Sequence, residues 1–507
     1  MKTTLIISLS LLMLFTISCS DFLNEQNPNA IPSEGYFTSE TDVDKAVNGI
    51  YQAIRSNNCL GETSDLYTEE RSDNTGRNDN QSNAGEPFQF TDFSLLPSNT
   101  YVKSHWNSLY SAVSRTNFLL SGIDKVVFKN EDQKAIYKSE ALFIRALIYF
   151  HLVRKWGDVP MVTDYLTNYN DILKNTFRVK KELVYAQIVL DLQAALNSTI
   201  PNIQPAGGKG RTCKAAINGL LGQVYLTMGT TLADNKQQNF QNAKKYLDDA
   251  YAMRTFTTLS AIPYSDVFNV DKKNSCPELI FQIVYKQGDL NYYSSVASRN
   301  QSKGETINSL KVSTGQGTFV NPDLVKEFEA SDLRKDLSVK YANDPIAKAW
   351  FITKYRDTSN AAGVNGYGGN DFILMRFADI ILMLAEVNLY LGNTGEAIQY
   401  LNQTRARAGL SSYAISDLDP VYHSKFPNLK LAILHERRVE FAFENQRWYD
   451  LLRFFTADEL VTYFKSKNQD DYGKSNLANF GSKDIYYPIP FDEWKLDPEK
   501  MYQNLGY

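Results

Sequence analysis

The chain has 507 residues, 53 Lys+Arg against 57 Asp+Glu, a net charge of −4 and 43% hydrophobic residues. A core can be built from that composition, so wholesale disorder is excluded, and length alone suggests about three domain-sized units. A near-neutral chain with no long Lys/Arg block is not a nucleic-acid binder, which needs a basic face to displace counterions, and four His leave little room for histidine chemistry.

The first residues set the compartment. Met1-Lys2 is a basic start and Leu5–Ile17 a nearly unbroken apolar run, too short to span a bilayer but suited to a signal peptide. It ends at Ser18-Cys19. Residues 1–18 read as a lipoprotein signal peptide with Cys19 as the lipidated new N-terminus; a plain signal peptide with an incidental cysteine is the alternative. Residues 19–37, with Pro28 and Pro32, read as a tether. Cys59, Cys213 and Cys276 are scattered and without a CxxC, so they read as buried apolar thiols.

A capping-box-like Ser39-Glu-Thr-Asp42 opens a helix with Val43, Val47, Ile50 and Ile54 on one face. Residues 61–100 are rich in Asn, Asp, Ser and Gly and read as a long irregular stretch of the kind that carries function. Helical spacing returns around Trp106–Asn117, Ile136–Phe150, Leu183–Leu196, 212–229 and 239–253. A short strand is expected at Leu279–Tyr285. Single helices are expected over 371–391, 394–408 and 428–455. Two of the helix pairs repeat: Gly222…Gly229 then Ala243…Asp248, and Ala385…Gly392 then Ala397…Asn402. The Gly-to-Ala gap is 14 residues in the first pair and 5 in the second, a nine-residue insertion. Small residues where helices cross and Gly at the turn are the marks of a tetratricopeptide hairpin. The fold class expected is mainly α with minor β: two clear hairpins cannot make a stable stack alone, so the remaining helices must supply further hairpins and caps. The boundaries are 38–255 for an N-terminal region and 256–507 for a C-terminal one.

No GxSxG, HExxH, P-loop or helix-opening GxGxxG is present. The Asx-rich run Asp73–Asn80 lacks the alternating ligands of an EF-hand, so a calcium ion there is unsupported, and neither metal nor cofactor is expected. What remains is aromatic and polar loop chemistry, in which flat rings stack on sugars and Asn, Asp and Arg bond hydroxyls. Tyr67, Asp73, Asn74, Arg77, Tyr292, Tyr293, Trp350 and Tyr367 lie in or near irregular segments and are the candidate ligand residues; ordinary loop packing is the competing reading for each.

Several stretches together resemble the SusD/RagB family of outer-membrane nutrient-binding lipoproteins of Bacteroidetes. They are Cys19-Ser-Asp21-Phe22-Leu23, Ala46-Val-Asn48-Gly49, Trp106 to Asn117, Glu140 to Arg145 and on to Trp156-Gly157-Asp-Val-Pro160, Ala385-Glu386 through Arg405-Ala-Arg407, Glu436-Arg437-Arg438-Val-Glu440, Arg447-Trp448-Tyr-Asp450-Leu-Leu-Arg453 and Gln503-Asn504-Leu-Gly506-Tyr507. The resemblance spans the mature chain in order. It implies a rigid face of four hairpins, a variable half carrying the ligand site, and no catalysis. Arg145, Trp156, Glu386, Arg405, Arg407, Glu436, Arg437, Glu440, Arg447, Asp450 and Arg453 are read as architectural, in ion pairs that fix helix against helix. Glu69-Glu-Arg-Ser-Asp73-Asn74 resembles the family's Asp-Asn loop, which sets Asp73 and Asn74 above the other candidates.

The implied role is capture of an oligosaccharide or polysaccharide at the cell surface and its delivery to a SusC-like TonB-dependent transporter. The chain would be held at the outer membrane by its N-terminal lipid only. Peptide capture of the RagB type is the alternative within the family, and a surface glycoside hydrolase, which needs a placed acid pair, the alternative outside it.

Overall fold

Ser39 opens the first helix by a capping box: its hydroxyl accepts from the Asp42 amide, and the Asp42 carboxylate accepts from the Ser39 amide at 3.0 Å. In that helix, α1 (Glu40–Ile54), Val43, Val47, Ile50 and Ile54 form the buried stripe, leaving Asn48, Gln52 and Arg55 turned outward. The computed structural model describes residues 35–76, 85–308, 311–312, 319–342, 348–472 and 476–507.

Seven further helices continue a stack in which each packs on the one before it: α2 (Thr100–Gly122), α3 (Glu131–Trp156), α4 (Lys181–Leu196), α5 (Lys214–Thr231), α6 (Lys236–Ala252), α7 (Phe377–Tyr390) and α8 (Thr394–Arg407). They form four successive hairpins, α1–α2 to α7–α8, in the tetratricopeptide-like arrangement. Where α5 crosses α6, a Cβ on Gly222 would sit 2.5 Å from Leu247, and one on Gly229 2.5 Å from Phe240. The glycines are there for close approach.

The insertion in the first repeat is helix rather than loop. With Gly229 aligned to Gly392 and Ala243 to Ala397, α5 runs four residues further than α7, α6 starts four residues earlier than α8, and the turn gains one residue. Each helix is longer by about one turn.

One hydrophobic core draws on residues from Val43 to Met501, so the regions on either side of residue 255 share it. Cys59, Cys213 and Cys276 are buried and unpaired. No helix among the described residues is long and apolar enough to cross a membrane.

The irregular half carries small sheets. Strands β1 (Thr75–Gly76), β3 (Phe319–Val320), β5 (Trp350–Ile352) and β4 (Val339–Tyr341) lie antiparallel in that order, and β2 (Leu279–Ile283) pairs antiparallel with β6 (Phe372–Arg376). Two sequence expectations change here. Residues 371–391 are not one helix: β2 is buried along its whole length, and β6 supplies its ladder partner before Arg376 caps α7. Residues 428–455 are not one helix either. α9 (Leu429–Glu440) and α10 (Arg447–Phe454) are separated by a turn in which Phe443 and Asn445 take positive φ, 67° and 60°. The turn is held from outside, because the Phe443 amide donates to Glu69 Oε1 at 2.9 Å and Glu444 pairs with Lys354 and Arg376. A further helix, α11 (Ala457–Ser466), follows Thr456, which caps it.

Candidate functional site

The Asp73-Asn74 segment is locked into the frame and offers no surface. Asp73 accepts from Arg447 Nε at 2.7 Å, Arg447 Nη2 at 2.9 Å and the Tyr463 hydroxyl at 2.8 Å, with Arg438 at 3.2 Å. Burial pushes its carboxyl upward, and the Arg438 and Arg447 guanidiniums overcome that and hold it well below the usual carboxylate range. Asn74 donates to Glu69 at 2.8 Å and accepts from Arg438 at 2.9 Å. Tyr67 stacks on His105 with ring centroids 4.0 Å apart and donates to Asn58. All three are buried. Their contacts are filled by protein, so the ligand roles expected for Asp73, Asn74 and Tyr67 are corrected to structural ones. Arg77 and Cys19 lie outside the described residues.

The remaining arginines and acids of the motif stretches build a buried charge lattice. Glu440 meets Arg376, Arg334 and Arg407; Glu436 meets Arg334 and Arg405; Arg453 bridges Glu386 and Asp450; Arg437 lies between Asp379 and Asp450. Arg145 grips Asp191 through two nitrogens, at 2.8 and 2.7 Å, and Trp156 Nε1 donates to the Pro488 carbonyl at 3.0 Å. Apart from Arg453–Asp450, which lies within α10, these contacts tie α3, α7, α8, α9 or α10 to another element. A buried charge left unpaired is costly, so the lattice fixes the relative positions of these helices.

On this frame the 292–299 segment is fastened to the 61–76 segment through Glu62. Its carboxylate accepts from the amides of Ser295 (2.7 Å) and Val296 (3.2 Å) and from the hydroxyls of Ser294 and Ser295. Ser294 and Gly368 exchange two backbone hydrogen bonds, at 2.8 and 2.9 Å. That bridge sets Tyr293 beside Tyr367, ring centroids 4.6 Å apart at 52°. Asp357 holds the other side by accepting from the Gly369 amide and Gln287. Next along, Tyr292 is 46% exposed and Arg55, at the end of α1, covers one face of its ring at 4.4 Å.

Two adjoining hollows flank this corner and share Gln52 and Arg55. One, of about 500 Å³, runs from α1 past Arg211 to Tyr292; the other, of about 400 Å³, includes Asn57, Asn291 and Tyr293. Together they form an open groove with aromatic faces and amide, guanidinium and hydroxyl groups in reach, the composition that takes a polyhydroxylated ligand. Of the eight sequence candidates, Tyr292 and Tyr293 line these hollows, and Tyr367 packs on Tyr293 without lining either. Trp350 lies on β5 against Tyr341, centroids 5.3 Å apart, and lines neither hollow. Sequence reasoning missed Arg55, Gln52, Asn57 and Asn291. For Arg55 and Gln52 the signal was present, since both fall on the outward side of the stripe that buries α1.

Among the described residues no group of His, Cys, Asp and Glu is placed to hold a metal ion. The groove lining there contains one carboxylate, Glu62, whose oxygens already accept from Ser294, Ser295 and Val296.

Residues 338–507 match the family described as "SusD family", and residues 21–226 match "Starch-binding associating with outer membrane". SusD-like protein P2 of Formosa agariphila is 26% identical over 534 aligned positions, covering 99% of each chain. A SusD-like protein of Bacteroides ovatus is 22% identical, covering 92% of this chain and 85% of its own. Among solved structures, B. fragilis NanU superposes with TM-score 0.75 at 22% identity, covering 95% of this chain and 100% of NanU. Surface glycan-binding protein A of Bacteroides thetaiotaomicron, in complex with laminarihexaose, superposes with TM-score 0.73 at 19% identity, covering 92% and 100%.

Proposed function

The chain is a SusD-family protein, and from that premise we propose that it is a non-catalytic, surface-exposed glycan-binding lipoprotein. It would be anchored through Cys19, capture oligosaccharide in the Arg55–Tyr292–Tyr293 groove, with Tyr367 supporting Tyr293, and deliver it to a SusC-like TonB-dependent outer-membrane transporter. The observation that carries this reading is the groove itself: aromatic faces interleaved with Arg55, Asn57 and Asn291 on an otherwise ion-paired frame. The laminarihexaose complex of the Bacteroides thetaiotaomicron protein supports a glycan as the ligand class. The groove also lacks what a glycosidase needs, two carboxyls facing each other across a bond at about 5–10 Å: Glu62 is its one acid among the described residues and is engaged with backbone and serine donors. A lipid-anchored capture protein beside its importer gains by effective concentration, without chemistry.

The test is titration of the whole chain in detergent against a panel of neutral oligosaccharides, laminarihexaose among them, and peptides, with product analysis after incubation. Binding of an oligosaccharide without new reducing ends is the expected result. New reducing ends would overturn the non-catalytic reading, and binding to peptides alone would replace glycan with peptide. Co-purification with a TonB-dependent barrel tests the partner.

A further inference from the structure

A cavity of about 610 Å³ lies apart from the groove. It lies where the end of α3 and the turn between α5 and α6 meet α10 and α11, with Arg154, Thr230, Lys236, Tyr390, Lys430 and Tyr449 among its lining residues. Arg154 is what sets it apart. The residue is 8% exposed, and its guanidinium lies between two rings, 3.7 Å from the Phe150 centroid and 3.5 Å from that of Tyr449. Nε donates to the Phe150 carbonyl at 3.1 Å, its one hydrogen bond among the described residues. Arg145, Arg334, Arg376, Arg405, Arg407, Arg437, Arg438, Arg447 and Arg453, all equally buried, each meet a carboxylate. Arg178, which does not, is filled by carbonyl and amide oxygens. Arg154 has neither among the described residues, and it lines both this cavity and a smaller hollow beside it.

Leaving a guanidinium buried without an anion is unfavourable. The two rings hold the guanidinium, and its two NH₂ groups, without a partner among the described residues, can take a carboxylate in a bidentate pair. Lys236 and Lys430 add positive charge to the lining. The one lining carboxylate, Glu459, is turned to the Thr456 amide at 2.8 Å as a helix cap. Beside the cation the wall is flat and aromatic: Phe240 and Tyr390 stack with centroids 4.8 Å apart at 11°. Threonine hydroxyls at the end of α5 complete it. The volume is that of a small-molecule pocket.

We propose that this cavity is a second ligand site, separate from the groove, which binds a small carboxylate-bearing sugar with its carboxylate on Arg154 and its ring against the aromatic wall. One planar fork matches one carboxylate, and the aromatic wall offers a sugar ring a face that inorganic phosphate cannot use.

The test is calorimetric titration of the whole chain in detergent with glucuronate, glucose and inorganic phosphate, repeated on Arg154→Gln and on Thr230→Trp, which fills the cavity and keeps Arg154. Saturable binding of glucuronate with none of glucose, weakened at least tenfold in either variant that retains the parent circular dichroism and unchanged in the groove variant Tyr293→Ala, is the expected result. Equal binding of glucose and glucuronate, binding of phosphate alone, no binding of glucuronate, or glucuronate affinity that survives Thr230→Trp overturns the proposal. A loss of glucuronate binding in Tyr293→Ala would assign the ligand to the groove and overturn it as well. If Arg154→Gln does not fold, Thr230→Trp decides.

Discussion

Arg447 closes on Asp73 with both edges of its fork, Nε to Oδ1 at 2.7 Å and Nη2 to Oδ2 at 2.9 Å, across 374 residues of chain. The contact joins the first residues of α10 to the loop that leads into β1. Arg438, one helix earlier, reaches the same carboxylate and also Asp323 and Glu327. The loop is thereby part of the α9–α10 frame. Glu62, near its start, in turn holds the serines that carry Tyr292 and Tyr293. The groove takes its shape from ion pairs buried beneath it.

Removing one member of that pair leaves a buried guanidinium unmatched. Asp73→Ala is expected to destabilise the protein by about 3–5 kcal/mol, the range for breaking a buried pair from one side. Because Asp73 titrates below its ordinary value in the fold, its contribution is present above about pH 4 and is lost as pH falls through the lowered value. Urea unfolding at pH 7 and at pH 3 checks both points: the gap between parent and Asp73→Ala should be wide at pH 7 and narrower at pH 3. An equal gap at both pH values would count against the ion pair as the cause.

Glu69 behaves in the opposite sense. It is buried, Oε1 accepts from Asn74 and from the Phe443 amide, and Oε2 has no partner. Burial pushes its carboxyl up to about 7 from an ordinary 4.5, and those hydrogen bonds do not offset it. A carboxyl raised in the fold contributes stability below its unfolded value and loses it as pH rises through the folded one. Stability should therefore fall between about pH 4.5 and pH 7, by on the order of 3 kcal/mol from this group. Glu69→Gln keeps an acceptor for Asn74 and Phe443 and carries no charge. It is expected to be more stable than the parent at pH 8 and to flatten the profile across that window, as read by denaturant midpoints at half-unit steps.

Two of the hairpins could be read from the sequence because small residues and turn glycines are local marks, while the four-pair stack is what the family resemblance implies. β6 could not: Phe372–Arg376 is as apolar as the helix it precedes, and only β2, about ninety residues earlier, makes it a strand. The break at Phe443 is invisible for a similar reason, since its causes are Glu69, Lys354 and Arg376. Asp73 and Asn74 looked like ligand residues because an Asx-rich loop usually faces water, while the arginines that bury them are distant in sequence. Tyr292, Tyr293 and Tyr367 were legible as aromatics in irregular segments; the pairing of Tyr293 with Tyr367 depends on the Ser294–Gly368 bridge, which nothing local announces.

The helix crossing in the first repeat gives a packing test. Alanine is a better helix former than glycine by about 1 kcal/mol. At Gly222, however, the added Cβ would lie 2.5 Å from Leu247 Cγ in the adjoining helix. Overpacking of that kind costs about 1–3 kcal/mol, so Gly222→Ala is expected to be destabilising on balance. Gly395→Ala, where a Cβ meets nothing within 4 Å, is the control and should be neutral or stabilising. Thermal unfolding of the two variants beside the parent decides, and a stabilised Gly222→Ala would show that α5 and α6 do not approach as described.

The groove makes the sharpest demand on ligand binding. Tyr292 has one face under Arg55 and is 46% exposed, so removing it should cost little in stability and take away one stacking surface. Tyr292→Ala is expected to weaken the oligosaccharide found in the panel by about 1 kcal/mol, roughly fivefold, with an unchanged melting temperature. Tyr293 and Tyr367 touch each other, so each supports the other's orientation. Tyr293→Ala and Tyr367→Ala should each weaken binding by a similar amount, and the double variant should lose less than their sum. Calorimetry on the four proteins closes the cycle. Trp350→Ala, on the neighbouring sheet, should leave the affinity where it was; a loss there, with the tyrosine variants silent, would move the ligand from the groove to the face of β5.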